Sequence, residues 1–209
     1  MKLYTYFRSS AAYRVRIALN LKQLDHELVP VNLLKSEQQG ADYLSKNAQG
    51  LLPALETEQG MLAQSLAILE WLEDAFDAAP LLPDDAWQKA QVRNFSYAIA
   101  CDIHPIDNLR VLKYLSNELS VSDEQKNTWY QHWVIEGFKK LEVMLGDDAF
   151  CFGDTPTLAD VCLVPQVYNA LRFNVDMSDF PKIARIYEHC NTLPAFIQAA
   201  PENQPDAPQ

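Results

Sequence analysis

The sequence predicts an α/β plus all-α protein: a small mixed domain over residues 1–80, a linker over 81–86 and an all-helical domain over 87–209. Three observations predict it. Strand-like and helix-like stretches alternate through the first eighty residues, whereas no strand rhythm follows Trp87. Between the two lies PLLPDDAW (80–87), whose prolines discourage helix on either side. The composition, 48% hydrophobic and 22% charged over 209 residues, supports a buried core rather than disorder.

In order along the chain, Lys2–Phe7 (KLYTYF) is β-branched and aromatic, and Tyr13–Lys22 carries Val15, Ala18 and Leu19 at helical spacing. Glu27–Val31 reads as a strand that Pro30 confines to a sheet edge. Leu52–Glu56 and Met61–Gln64 form a hairpin turning near Gly60, and Ser65 caps a helix through Ala75. The mixed half is thus β-α-β-α-β-β-α. Beyond the linker, Val92, Phe95 and Ile99 mark a helix bending near His104–Pro105. Val134, Phe138, Leu141 and Leu145 mark one face of a long helix, and Ile183, Ile186, Tyr187 and Cys190 another. Thr157 and Asp160 stand as a capping box, with aspartate in place of the commoner Glu or Gln. The tail from Pro201 lacks apolar stretches and reads as extended or mobile.

Several function classes are excluded. Seventeen basic against 28 acidic residues give −11, a poor match to nucleic acid backbones. No apolar run is long enough to span a bilayer, and no apolar signal core follows Met1, so the chain reads as cytoplasmic. Cys101, Cys151, Cys162 and Cys190 are scattered and read as core residues. No phosphate-binding glycine loop, HExxH, GxSxG or zinc-spaced ligand set occurs, so no metal is expected. His26, His104, His132 and His189 lie far apart and read as surface or packing residues, and Trp71, Trp129 and Trp133 as core or interface. A chain without such devices can take its reactive group from a cofactor.

Two segments carry chemistry. Arg8-Ser9-Ser10 joins the first strand to the first helix, where unpaired N–H groups and the helix dipole favour an anion such as a thiolate. The same serines also suit a plain helix cap. Five basic residues (Lys2, Arg8, Arg14, Arg16, Lys22) precede the first acid, Asp25, and the Arg14–Arg16 pair suits an acidic partner surface. In the second segment, Leu52-Pro53 enters a strand, which suggests a cis peptide that turns the Leu52 backbone toward a peptide-like ligand. Gln64-Ser65, at a second helix N-terminus, suits a carboxylate. A ligand with a thiol, peptide groups and a carboxylate fits both segments, and glutathione is one.

On YFRSSAAYRVRIALNLK, LLPAL, QSLAILEWLE, DIHPIDNLRVLKYL and GDTPTLADVCLVPQVYNALRF followed by VDMSDFP, the chain resembles the cytosolic glutathione transferases over nearly its whole length. More narrowly it resembles their zeta class, the maleylacetoacetate and maleylpyruvate isomerases. The resemblance implies a thioredoxin-like first domain, an all-helical second domain and glutathione as cofactor. It implies cis-to-trans isomerisation of a maleyl keto acid in aromatic degradation, in a homodimer, with haloacid transfer or non-catalytic glutathione binding as the alternatives. It further implies Ser9 and Ser10 as the catalytic hydroxyls, and glutathione contacts at Gln38 or Gln39, Leu52, Pro53, Gln64, Ser65, His104 and Asn108. Arg172 matches the family's substrate arginine; Arg8 and Arg110 join it as carboxylate partners, a role suited to guanidinium forks. Ala11 departs from the cysteine that zeta proteins commonly carry after the two serines, leaving covalent work to glutathione alone.

Overall fold

The computed structural model describes residues 1–208. They pack as two units, one of Met1–Leu81 joined by the chain from Asn191 onward, the other of Leu82–Cys190.

The first unit contains β1 (Lys2–Thr5), α1 (Ser10–Leu21), β2 (Glu27–Pro30), α2 (Ala41–Leu44), β3 (Ala54–Thr57), β4 (Gly60–Ala63) and α3 (Ser65–Ala75), the element order read from the sequence. The sheet runs β2-β1-β3-β4. β1 and β2 are parallel with Thr5 opposite Pro30, so the proline lies on an edge strand, where its missing N–H breaks no ladder. β3 is antiparallel to both β1 and β4, with Tyr4 opposite Ala54 and Ala54 opposite Ala63. Leu3 and Leu55 from the sheet, Val15, Ile17 and Leu19 from α1, and Ile68 and Leu72 from α3 form the buried core. At the far end of α3, buried Lys22 donates to Glu73 at 2.9 Å and to the carbonyls of Phe76 and Ala78, while Glu73 accepts the Leu81 N–H. That network satisfies a cation that burial would otherwise make costly.

Two sequence expectations fail in this unit. Arg14 and Arg16 are each only 1% exposed, so they form no acidic-partner surface. Burial is affordable because their guanidinium groups are hydrogen-bonded: Arg14 to Ser65 Oγ, and Arg16 to Thr5 Oγ1 and to backbone carbonyls. Nor does the tail belong to the helical domain or hang free. α10 (Pro194–Ala199) packs on α1, a single turn follows over Pro201–Asn203, and Gln204 is buried. Polar bonds hold it: Asn20 Nδ2 to the Ala195 carbonyl, and Gln204 Nε2 to the carbonyls of Gln198 and Ala200. Hydrogen bonds replace the apolar stretch whose absence suggested mobility.

The second unit is helical: α4 (Ala86–Tyr97), a π-helical stretch (Ala98–Ile103), α5 (His104–Ile106), α6 (Leu109–Asn117), α7 (Asp123–Met144), α8 (Leu158–Arg172) and α9 (Pro181–Cys190). The bend expected near His104–Pro105 is this wide turn, where Pro105 has no N–H to continue the ladder. Val134, Phe138 and Leu141 are buried as one face of α7, and Leu145, the residue that ends it, is buried too. On that helix Gly137 is fixed by contact, since a Cβ there would lie 2.3 Å from the Ile103 side chain. The Thr157–Asp160 capping box is present, and Asp160 also accepts the Cys151 N–H at 2.8 Å. Cys151, Cys162 and Cys190 are buried as expected, but Cys101 is exposed. Burial pushes the Cys151 and Cys190 thiols up, which leaves them inert at neutral pH.

Candidate functional site

The sheet register brings three loops of the first unit to one end. The end of β1, the start of β3 and the end of β4 are aligned by the Tyr4–Ala54 and Ala54–Ala63 pairs. Arg8-Ser9-Ser10, Leu52-Pro53 and Gln64-Ser65 therefore leave the sheet on the same side. A cleft of about 600 Å³ lies at the opposite end, lined by Lys2, Glu27, Glu56, Trp71 and Phe76, and holds none of these residues.

Ser9 is the N-cap of α1: its backbone is extended and its Oγ accepts the Ala12 N–H at 3.2 Å. With that oxygen accepting from the helix, the hydroxyl proton is left to donate outward. Ser10 is the first helical residue and only 6% exposed. Arg8 donates to Tyr6 Oη at 3.4 Å and lies over the Phe7 ring, 5.1 Å from its centroid.

The Leu52–Pro53 peptide is cis, as the sequence suggested. The preceding carbonyl, Leu51, is fixed by Tyr43 Oη at 2.6 Å and Asn47 Nδ2 at 2.9 Å. Gln64, not Ser65, is the cap residue of α3, and Ser65 opens the helix. Gln64 has φ 71° and ψ 118°, a conformation that disfavours a Cβ, and it gives α3 no side-chain cap. The first-turn N–H groups of α3 are thus uncapped from that residue. Behind them Arg14 donates to Ser65 Oγ at 3.3 Å, placing a buried positive charge under the helix start. No sequence signal tied Arg14 to Ser65, because the two lie 51 residues apart. Gln39 turns to the Gly50 carbonyl at 3.0 Å, whereas Gln38 Oε1 is buried with no partner among the described residues. This donor and acceptor set fits glutathione: uncapped N–H groups for a carboxylate, an unpartnered amide oxygen for an amine or amide, and a hydroxyl for sulfur.

The second unit holds the other sequence-predicted residues. Asn108 caps α6, accepting the Arg110 N–H at 3.2 Å, and Arg110 itself is exposed. Arg172 ends α8, donates to Asn169 Oδ1 at 2.9 Å and lies over the Phe173 ring. Tyr130 stacks on that same Phe173 ring, centroid to centroid at 3.6 Å. Burial raises the pKa of the Tyr130 hydroxyl; Asp107 adds to that rise and Arg172 opposes it. Asp107 and Arg172 thus both act on Tyr130. Among the described residues no cluster of His, Cys, Asp or Glu suits a metal ion.

Asp107 escaped sequence reasoning, since nothing in DIHPIDN signals burial of a lone acid. It is 5% exposed, its carboxyl oxygens have no partner among the described residues, and burial pushes its pKa up to about 8. The folded state keeps the proton where the unfolded chain releases it near pH 4. The stability gained at acid pH is therefore lost progressively as pH rises from about 4 to 8. Asp107→Asn removes this titration. In urea melts its stability relative to the wild type should increase across that window, by about 3 kcal/mol after screening by water, and stay constant above it. Parallel pH profiles for the two proteins would refute the assignment.

Comparison with known proteins shows the family. Residues 1–74 match the model of the glutathione S-transferase N-terminal domain, and residues 134–189 that of the C-terminal domain. A probable maleylacetoacetate isomerase of Vibrio cholerae is 51% identical, with 98% of this chain and 97% of the relative covered. Among solved structures, a bacterial zeta-class maleylpyruvate isomerase in its holo form superposes with TM-score 0.98 at 43% identity, both chains fully covered. A maleylacetoacetate isomerase of Methylobacterium extorquens AM1, with malonate and glutathione bound, gives 0.96 at 37% identity, again with both chains fully covered.

Proposed function

The chain belongs to the glutathione S-transferase family, among its zeta-class members, and we propose that it is a glutathione-dependent cis–trans isomerase of a maleyl keto acid, maleylacetoacetate or maleylpyruvate. The observation that carries the proposal is the full-length likeness to isomerases of both names. The proposal extends to a cytoplasmic homodimer acting in aromatic compound degradation.

Glutathione, when bound, supplies a thiolate able to add reversibly to a conjugated double bond, the condition for rotation about it. The chain's own residues prepare that chemistry. Ser9, with its oxygen accepting from Ala12, directs its proton outward to a sulfur, and the positive end of α1 lies behind it. Lowering a thiol by about two pKa units in this way is worth roughly 2.7 kcal/mol. Gln38, the Leu52 backbone, Gln64 and Ser65 hold the peptide and its carboxylate, with His104 and Asn108 assigned to further contacts. Pro53 shapes the Leu52 turn. Arg172, Arg8 and Arg110 hold the substrate carboxylates and balance negative charge as it spreads onto the substrate's ketone oxygen.

The test is incubation with each keto acid, with and without catalytic glutathione, following the fumaryl product. Glutathione-dependent turnover with the thiol conserved supports the proposal. Glutathione binding without turnover, or consumption of the thiol, rejects it. Arg172→Ala should raise KM for the keto acid about tenfold or more and KM for glutathione far less. The opposite pattern would remove Arg172 from the substrate site.

A further inference from the structure

The turn that carries Ser9 is held by the far end of the chain. The Phe7 N–H donates to Asp206 Oδ2 at 2.9 Å, across 199 residues of sequence. The Phe7 carbonyl accepts from Arg16 Nη2 at 3.0 Å. That guanidinium also reaches Thr5 Oγ1 at 2.9 Å and the Tyr6 carbonyl at 3.4 Å, while its Nε bonds the Ala199 carbonyl of the tail at 3.0 Å. The Ser9 N–H closes the turn on the Tyr6 carbonyl at 2.9 Å. Both polar groups of the Phe7 peptide are thus fixed by side chains, one from the tail and one that itself grips the tail.

Asp206 is placed with care. Pro201–Asn203 forms a turn, Asn203 Nδ2 holds the Ile197 carbonyl at 2.7 Å, and Gln204 is locked by the carbonyls of Gln198 and Ala200. The Ala207 N–H closes a last turn on the Gln204 carbonyl at 3.0 Å, around Asp206. The other carboxylate oxygen of Asp206 is buried without a partner among the described residues. A carboxylate oxygen in that position costs free energy, so stability alone is a poor reason for an acid there.

We propose that Asp206 is a positioning residue of the thiolate site: by holding the Phe7 N–H, it fixes the turn that aims the Ser9 hydroxyl. The proposal rests on the reading of Ser9 as the hydroxyl that meets the glutathione sulfur. A displaced catalytic group costs rate steeply, about 100-fold for an ångström. The tail therefore acts on the chemistry without touching substrate.

The experiment compares Asp206→Ala, which removes the acceptor, with Asp206→Asn, which keeps a carbonyl oxygen in its place. For D206A we expect kcat to fall about tenfold and KM for the keto acid to change by less than about threefold. The pKa of the bound glutathione thiol, followed by thiolate absorbance, should rise by about half a unit. Exchange of the Phe7 amide hydrogen should accelerate about tenfold in D206A. D206N should recover most of each effect. Wild-type kcat and thiol pKa in D206A, unchanged Phe7 exchange, or equal losses in D206N would each overturn the proposal. Should the wild-type protein turn over neither keto acid, the isomerase reading fails, while Phe7 exchange and the bound-thiol pKa still decide the role of Asp206.

Discussion

Ser9→Ala should lower kcat for isomerisation by roughly 100- to 1,000-fold, the loss typical of removing one preorganised donor to a developing or resident anion. The hydroxyl has two duties. Its oxygen accepts the Ala12 N–H at 3.2 Å, a cap worth about 1 kcal/mol, and its proton remains for a sulfur. The two separate by measurement: a urea melt reads the cap, and thiolate absorbance of bound glutathione against pH reads the donor. The expected result is a small loss of stability with a thiol pKa raised by more than one unit. Ser10→Ala, at a buried first-turn position, should reduce kcat by less than about tenfold. A larger effect at Ser10 than at Ser9 would exchange their roles.

Arg16→Ala should destabilise the protein by about 3–5 kcal/mol, a large share of the stability of a domain this size. The side chain is 1% exposed and bonds Thr5 Oγ1 and the carbonyls of Tyr6, Phe7 and Ala199. Removing it leaves carbonyls beside a cavity with no donor. Arg16→Lys should recover little, because a single ammonium cannot reproduce bonds that leave one planar fork in several directions. Denaturant midpoints of the three proteins check this; an alanine variant within 1 kcal/mol of the wild type would refute it.

Periodicity made the order of elements legible. Apolar spacing placed α7 through Val134, Phe138, Leu141 and Leu145, and Pro30 identified an edge strand, because burial and ladder geometry act residue by residue. Ser9, Leu52-Pro53 and Gln64-Ser65 were legible as loop chemistry, since helix starts and X-Pro turns leave local marks. His104, Asn108 and Arg172 rest on resemblance alone: no local pattern ties an arginine at the end of α8 to a segment some sixty residues earlier. The failures share a cause. Arg14 and Arg16 count as charge in a sequence, and only the fold reveals the carbonyls and hydroxyl that bury them. The tail looked mobile because its anchors are hydrogen bonds between distant positions, which composition does not record. Asp107 looked like any polar loop residue, and only the fold shows that it is buried.

The first unit is discontinuous: the chain leaves it at Leu81, builds the helical unit, and returns at Asn191. On the ribosome, domains fold in the order in which they are completed, at about 5–20 residues per second. The helical unit has all its residues before the tail partners of Arg16, Asn20 and Phe7 have been made. The part of the protein translated first is therefore finished last. A nascent chain stalled short of residue 195 would carry a complete sheet but a Ser9 turn without its Asp206 contact, so full activity should emerge only once the tail has been made and packed.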